Sequence, residues 1–263
     1  MKIAVDFKES CSEMPVNFGE VLVVNKPDPS IIEAARAEGI AQGKQAEYNA
    51  FWDAYQQNGD TRDCDNMFSG RGWTNETFKP KYDIIAQGTY MIFRKTGIVD
   101  LGEALKACGK KIVIDNTALQ YTFNNTLLEV IDGIEFNKPI GRFDSTFAYS
   151  GNLREIKMPL PITKDTLMGN GGFDGCNALE EVRFDGVIGT SGLNLRWSTK
   201  LSKASIINII ESLHDNLSGL YLTLSKTAVD NAFETSEGVA DGSTSTEWST
   251  LLGERPMWTI SLL

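Results

Sequence analysis

The sequence lacks several features that mark common functional classes. No window holds the roughly 18 consecutive apolar residues that a membrane-spanning helix needs. There is one histidine, and the four cysteines lack CxxC spacing, which argues against a structural zinc site and a dense disulfide framework. With 35 acidic and 25 basic residues, the net charge is -10, and no basic run suits nucleic acid or an anionic membrane. The cysteines are therefore expected to be mostly buried, small apolar residues.

The N-terminal stretch MKIAVDFKESCSE has no long apolar segment of the signal-peptide kind. We therefore expect a protein made in the cytoplasm without export. A chain of 263 residues with 41% hydrophobic content can bury one substantial core. One elongated domain with a small N-terminal attachment fits this size.

Five segments share one pattern: a phenylalanine, a short polar turn, and an apolar residue five or six positions later. In the last four, a second apolar residue follows three positions beyond the first. The spacings between the phenylalanines are 25, 30, 24 and 26 residues, the period of leucine-rich repeats, and one insertion would explain the 30. The segments are Phe68–Trp73, Phe93–Leu101, Phe123–Ile131, Phe147–Ile156 and Phe173–Val182.

Alternating runs after the later segments fit strands with one buried face. Such a strand cannot bury its apolar face alone, so parallel stacking is expected. We therefore predict an α/β fold in which residues 60–263 form one right-handed, leucine-rich-repeat-like solenoid with a parallel sheet on one face. The inward rows are Ile156, Met158 and Leu160; Val182 and Phe184; Leu193, Leu195 and Trp197; Leu220, Leu222 and Leu224; and Trp258, Ile260 and Leu262.

Two longer helices are predicted near the C-terminus, where they would cap the solenoid. The first covers residues 202–217, which place apolar side chains at helical spacing, and has Gly219 at its C-cap. The second begins with a capping-box spacing from Thr244 to Glu247 and stops before Pro256.

The N-terminal part is organised differently. Residues 1–27 are predicted to form a short β segment for docking or oligomerisation, and residues 28–59 a helix and N-terminal cap. Gly39 and Gly43 lie on one face of that helix and permit the close approach of another helix, so we expect them to mediate docking or self-association. The side chains expected to pack the helix end against the first repeat are Phe51, Trp52 and Tyr55.

The pattern Phe-x-x-Cys-x-x-Leu-x-x-Val at residues 173–182 resembles the BspA-like leucine-rich repeat family. The stretches GKQAEYNAFWDAYQQNGDTRD, WTNETFKPKYDI, GLNLRWSTKLSKASIINII and WTISLL are similar to repeat proteins encoded among the tail genes of phages and prophages of gut Firmicutes. This resemblance covers nearly the whole chain. It implies a virion or tail-associated role and supplies no binding residue.

The residues offer little for catalysis. His214 stands beside Asp215, but no cysteine or serine lies in a recognisable nucleophile motif. The run Asp60, Asp63, Asp65 lacks the glycine and the distal glutamate of a calcium loop. We therefore expect neither an enzyme, a cofactor nor a bound metal.

Three non-catalytic functions remain. The first is a phage tail-associated protein that docks to other virion proteins through its N-terminal region and attaches to a host surface protein or anionic polymer through the solenoid. The second is a structural virion component, and the third a bacterial cell-surface adhesin. A homo-oligomer is left open in each case.

A ligand is expected on the outward residues of successive strands, because the inward ones belong to the core. Arg183 and Arg196 would meet a partner rich in carboxylate or phosphate first. The alternative is that these residues only keep the strand face soluble, and the turns carrying Ser69, Arg94 and Asn124 are the next candidates. The outward residues are Lys157, Arg183, Asp185, Asn194, Arg196, Tyr221, Thr223 and Thr259.

Overall fold

The computed structural model describes residues 29–57, 62–169, 171–233 and 245–263. In these residues the protein is a mixed α/β protein with short parallel sheets. The predicted β segment in residues 1–27 lies outside them. Contacts divide the chain into two compact units, Met1–Glu47 and Tyr48–Leu263. The helices are α1 (Pro29–Gln57), α2 (Leu101–Cys108), α3 (Lys203–Glu211), α4 (Lys226–Ala232) and α5 (Thr246–Gly253).

Every strand pair that the described residues form is parallel. The strands are β1 (Arg62–Asp63), β2 (Ile84–Gly88), β3 (Ile112–Ile114), β4 (Val130–Ile131), β5 (Ile134–Phe136), β6 (Ile140–Arg142), β7 (Glu155–Ile156), β8 (Leu160–Leu167), β9 (Phe184–Asp185), β10 (Asn194–Leu195), β11 (Leu220–Leu224) and β12 (Trp258–Leu262). They form four separate sheets, with neighbours in the orders β1-β2-β3-β5, β4-β7, β6-β8-β9 and β10-β11-β12. The expected single parallel sheet is therefore divided into four.

The five repeated phenylalanines form one buried stack. The rings of Phe93 and Phe123 lie 5.4 Å apart with planes inclined by 2°, and those of Phe123 and Phe147 lie 5.4 Å apart at 8°. Phe68 extends the stack at one end, 5.3 Å from Phe93, and Phe173 at the other, 5.2 Å from Phe147. The prediction that these rings stack in chain order is confirmed.

Each stacked phenylalanine sits in the middle of a tight turn with an unusual backbone. The second residue before it and the second residue after it both have positive φ, a conformation in which most side chains crowd their own backbone. Backbone bonds such as Phe123 N to Thr146 O, at 2.9 Å, hold each turn against the next. The left-handed residues are Asn66, Gly70, Met91, Lys95, Tyr121, Asn125, Ser145, Tyr149, Gly171 and Gly175.

Small polar side chains fasten one turn to another inside the core. The hydroxyl of Ser150 donates to the carbonyl oxygen of Phe123 at 2.7 Å, and the thiol of Cys176 donates to that of Phe147 at 3.1 Å. A buried hydroxyl needs a partner, and the neighbouring turn supplies it. Cys176 and Cys64 are buried, as expected; Cys108 is half-buried, and Cys11 lies outside the described residues.

Helix α2 occupies the insertion expected from the 30-residue spacing. The carboxylate of Asp100 accepts from the backbone N–H of Glu103 at the first turn, and Gly109 ends the helix in the left-handed conformation. Gly102 packs so closely that an added Cβ would lie 2.5 Å from the Cβ of Asp132. The helix therefore sits tightly against the following turn.

The helices of the C-terminal part differ from the prediction in their bounds. Helix α3 ends at Glu211, not at residue 217, and Gly219 is not its cap. The side chain of Arg255 donates to the carbonyl oxygens of Ile210 and Glu211, at 3.1 and 2.9 Å, and so satisfies the last turn there. Helix α5 has Ser245 as its N-cap, and helix α4 has no counterpart in the prediction.

The helix predicted within residues 28–59 is confirmed from Pro29 to Gln57, and residues 28, 58 and 59 lie outside the described part. Near its end Phe51 and Trp52 each lie 5.9 Å from the ring of Phe68, so the expected aromatic cap is present. The side chain of Tyr55 lies outside the described part. Gly39 and Gly43 have open space around them, and their docking role stays a prediction.

Candidate binding surfaces

The eight outward residues lie on three different sheets and not on one. Lys157 directly follows β7, whereas Arg183 directly precedes β9 and Asp185 lies in β9, which belongs to a different sheet. The parallel bridge between Glu155 and Glu181 nevertheless places Lys157 and Arg183 at equivalent positions of neighbouring layers. The remaining five lie in or beside a third sheet, β10-β11-β12, so the predicted strip is not carried by a single sheet.

The break has a local cause between β7 and β8. The row Ile156, Met158, Leu160 was predicted as one strand, but β7 ends at Ile156 and pairs with β4, whereas β8 begins at Leu160 and pairs with β6. Pro159 has no N–H to give to a ladder, which favours a corner at this point. Lys157 and Asp185 consequently follow the chain on two different sheets.

Five outward residues of the last sheet occupy paired positions on neighbouring strands. Asn194 pairs with Thr223, which pairs with Ser261, and Tyr221 pairs with Thr259. The side chain of Tyr221 is 52% exposed. Thr259 is exposed, and Asn194 and Thr223 are half-buried. We name these five residues the C-terminal strand face.

Arg196 and Trp197 extend from the end of β10. Trp197 was predicted to point into the core, and this was wrong: it is 46% exposed, and the guanidinium carbon of Arg196 lies 5.0 Å from the centre of its ring. The strand ends at Leu195, and the buried Ser198 takes the inward position, where its hydroxyl donates to the carbonyl of Cys176 at 3.2 Å. A rigid, exposed aromatic side chain with a cation on its face results.

The alternative candidates in the turns are less accessible. Asn124 is buried, and Ser69 and Arg94 are half-buried. One of the exposed turn residues is Tyr149, at 70%. Its backbone is left-handed, so its outward position does not follow from the alternation of residues in the sequence. Asn124 is therefore removed from the candidate ligand contacts.

His214 and its neighbours make contacts that join two parts of the fold. Its Nδ1 accepts from the backbone N–H of Asn216 at 3.1 Å, and its carbonyl oxygen accepts from the indole of Trp258 at 2.9 Å. The adjacent Asp215 carboxylate forms an ion pair with Arg255 at 3.2 Å. These contacts hold β12 and the end of α3 together and present no nucleophile to the imidazole.

Other reactive groups give the same picture within the described residues. Burial raises the pKa of the Cys176 thiol to about 12, so the nucleophilic thiolate is absent at neutral pH. No group of three or more His, Cys, Asp and Glu side chains in the described ranges could hold a metal ion. Nor does any helix described there have the length and apolar character to cross a membrane.

Comparisons with protein-family models, with curated proteins and with solved structures find no match to this chain. The class that can be stated is therefore the structural one: a mixed α/β protein with short parallel sheets and a continuous stack of buried phenylalanines.

Proposed function

We propose that residues 60–263 form a right-handed, leucine-rich-repeat-like solenoid and that the chain is a non-catalytic, tail-associated virion protein of a phage or prophage that attaches to a host surface. Parallel pairing throughout the described strands and the stacked phenylalanines support the solenoid. The BspA-like sequence pattern and its resemblance to tail-encoded repeat proteins support the assignment to a virion.

The observation that carries a binding role is the exposed Arg196–Trp197 pair at the end of β10. Tyr221, on the neighbouring strand β11, is a second exposed aromatic residue of the same sheet. Tryptophan, tyrosine and arginine dominate binding hot spots, and Trp197 and Tyr221 are 46% and 52% exposed. Arg196 is further held over the Trp197 ring, which reduces the entropy lost on binding.

The binding role is tested with the double change Arg196→Ala and Trp197→Ala in the full chain. We expect binding to host cells or isolated cell walls to fall by about tenfold or more, because the change removes at least one hot-spot residue. The matched control is Arg183→Ala, an exposed arginine on a different sheet, which should leave binding unchanged. Equal effects of the two changes would contradict the assignment of this surface.

The virion assignment has a separate test. Tail and lysis genes are expected beside the gene, and mass spectrometry of purified induced particles should detect the chain. Wall-anchoring or export genes as neighbours, together with particles that lack the chain, would instead favour a cell-surface adhesin.

A structural virion role is the second candidate, and helix α1 favours it. Ile40 is 54% exposed, and Gly39 and Gly43 have no atom within 4 Å of an added Cβ, so this stretch has room for a partner. In the double change Gly39→Leu and Gly43→Leu, the added Cβ atoms meet nothing within 4 Å among the described residues, yet the change should prevent incorporation of the chain into particles. Normal incorporation would contradict docking through this face.

A further inference from the structure

A polar cleft lies beside the phenylalanine stack, on other elements than the C-terminal strand face. It has a volume of about 410 Å³, within the range of small-ligand sites. Its walls come from three successive turns, which only the stacking of the repeats brings together. The lining residues are Asp65, Gln87, Gly88, Thr89, Tyr90, Asn116, Ala118 and Gln120.

An oriented aromatic ring forms part of the wall. Tyr90 is 40% exposed, and its ring meets that of Tyr121 edge to face at 5.7 Å. Its backbone N–H donates to the carboxylate of Asp65 at 2.7 Å. The ring is therefore held in place before any ligand arrives, and it offers an apolar face with a hydroxyl at its end.

The amide side chains of the cleft are oriented by bonds to their surroundings. The side-chain oxygen Oδ1 of Asn116 accepts from the backbone N–H of Ala118 at 3.1 Å. The side-chain NH₂ group of Asn116 is therefore left for a ligand. The NH₂ of Gln120 donates to Asp144 at 3.3 Å, which leaves its carbonyl oxygen as an acceptor. The wall thus offers both a neutral donor and a neutral acceptor.

The charges of the described wall disfavour an anionic ligand. Among the described lining side chains, Asp65 carries the only carboxylate, and none is a lysine or arginine. Two nearby cations have carboxylate partners: Lys138 lies 3.0 Å from Asp115, and Arg142 pairs with Asp144. The hydrogen bond from Lys138, assisted by one from Gln87, holds the pKa of Asp115 below its usual value.

We propose that this cleft binds a neutral carbohydrate. Sugar hydroxyls both donate and accept, which suits the mixed amide and carboxylate wall, and the apolar C–H face of a pyranose ring suits the tyrosine ring. This inference goes beyond the proposed function, because it concerns a different site and does not depend on the virion assignment.

The test uses labelled full-length protein on an array of neutral oligosaccharides of glucose, galactose, N-acetylglucosamine and rhamnose, with polygalacturonate and polyglycerol phosphate as anionic arms. Binding is expected to neutral glycans only. Tyr90→Ala should lower the affinity by about tenfold, and Asn116→Asp, which keeps the turn acceptor but removes the NH₂ donor, should do the same. The control is Tyr149→Ala, an exposed tyrosine outside the cleft, which should bind normally.

Tyr90→Phe removes the hydroxyl but keeps the ring and its contact with Tyr121. It therefore replaces Tyr90→Ala in the test if that variant does not fold. Binding to no neutral glycan, binding to the anionic polymers alone, or neutral binding that neither Asn116→Asp nor Tyr90→Phe weakens would each overturn the proposal. Loss of glycan binding in Tyr221→Ala alone would also overturn it and assign the ligand to the C-terminal strand face. Absence of the chain from particles would remove the virion assignment and leave the glycan result standing.

Discussion

The regions before and after residue 186 connect their parallel strands by different means. Between residues 62 and 185, tight turns around a buried phenylalanine return the chain to the next strand, and α2 is the one helix among the described residues there. Between residues 194 and 262, helices α3, α4 and α5 make the returns. The first region therefore depends on ring packing and left-handed turns, and the second on helix caps and apolar helix faces.

The cores differ for a geometric reason. Neighbouring strands lie about 4.8 Å apart, and the stacked rings lie 5.2 to 5.4 Å apart, so one ring for each strand layer fills the space continuously. A helix is about 10 Å wide, so a column of single rings at the strand spacing does not fill the space between a sheet and a layer of helices. Aliphatic side chains fill that core instead: Ile206, Ile209, Ile210, Leu222 and Leu224 are fully buried.

The largest expected effect breaks the aromatic stack. Phe147→Ala removes a fully buried ring between Phe123 and Phe173 and leaves a cavity that the neighbouring turns cannot close. The free energy of unfolding should fall by about 3 to 5 kcal/mol, measured by denaturant titration. Tyr149→Ala, two residues away and exposed, should change it by less than about 0.5 kcal/mol. Similar losses in the two variants would contradict a stack-dependent core.

The stack was predictable because a large apolar residue at a nearly constant period is visible in the sequence itself. Helix α1 was predictable from its start signal and length. The strands were not, because segments of two or three residues are defined by their partners, as the separation of β7 from β8 shows. Helix α2 was missed because it is short and contains Gly102.

The binding surfaces were less predictable than the fold. The outward positions on the last sheet followed from alternation and are largely exposed. Trp197 was misplaced because alternation continues in the sequence after the strand has ended at Leu195. The cleft of Tyr90 could not be found, because its residues are distant in sequence and meet only through stacking, and no residue type indicates the left-handed turns of Met91 and Tyr121.

The second region should respond to the loss of a helix cap. The hydroxyl of Ser202 accepts from the backbone N–H of Ser205 at 3.1 Å at the start of α3. Ser202→Ala leaves that donor without its partner and should lower the free energy of unfolding by about 1 kcal/mol. Ser202→Asp restores an acceptor and should return most of the loss. A decrease of the same size in Ser202→Asp would mean that packing, not capping, sets the effect.

The turns of the first region should become more stable when a left-handed residue is replaced by glycine. Lys95 has φ of 56° and is exposed, and glycine holds the equivalent place after Phe68 and Phe173. Lys95→Gly should raise the free energy of unfolding by about 0.5 to 1 kcal/mol. This gain is the backbone strain that glycine relieves, minus the cost of the greater conformational entropy of glycine in the unfolded chain. The reverse change, Gly175→Ala, should lower it, since φ there is 73°. A loss of stability in Lys95→Gly together with a gain in Gly175→Ala would show that these turns are not strained.

The smallest effect at neutral pH is expected for Cys176→Ser, because a serine already makes the equivalent hydrogen bond one repeat earlier. The thiol of Cys176 donates to the carbonyl of Phe147, and one repeat earlier Ser150 makes the corresponding bond to Phe123. Cys176→Ser should therefore change the free energy of unfolding by less than about 0.5 kcal/mol at pH 7. Cys176→Ala, which removes the donor, should lower it by about 1 kcal/mol.

Alkaline pH separates the original protein from Cys176→Ser. Burial raises the pKa of the Cys176 thiol from 9.0 to about 12, so the unfolded chain loses this proton first as the pH rises. The thiol thus contributes stability below pH 9 that is lost progressively toward pH 12, by about 1.4 kcal/mol for each pH unit. Serine does not titrate there, so Cys176→Ser should lose less stability than the original protein between about pH 8 and pH 10.5. Parallel losses in denaturant titrations across that range would show that the thiol ionises in the folded state as readily as in water.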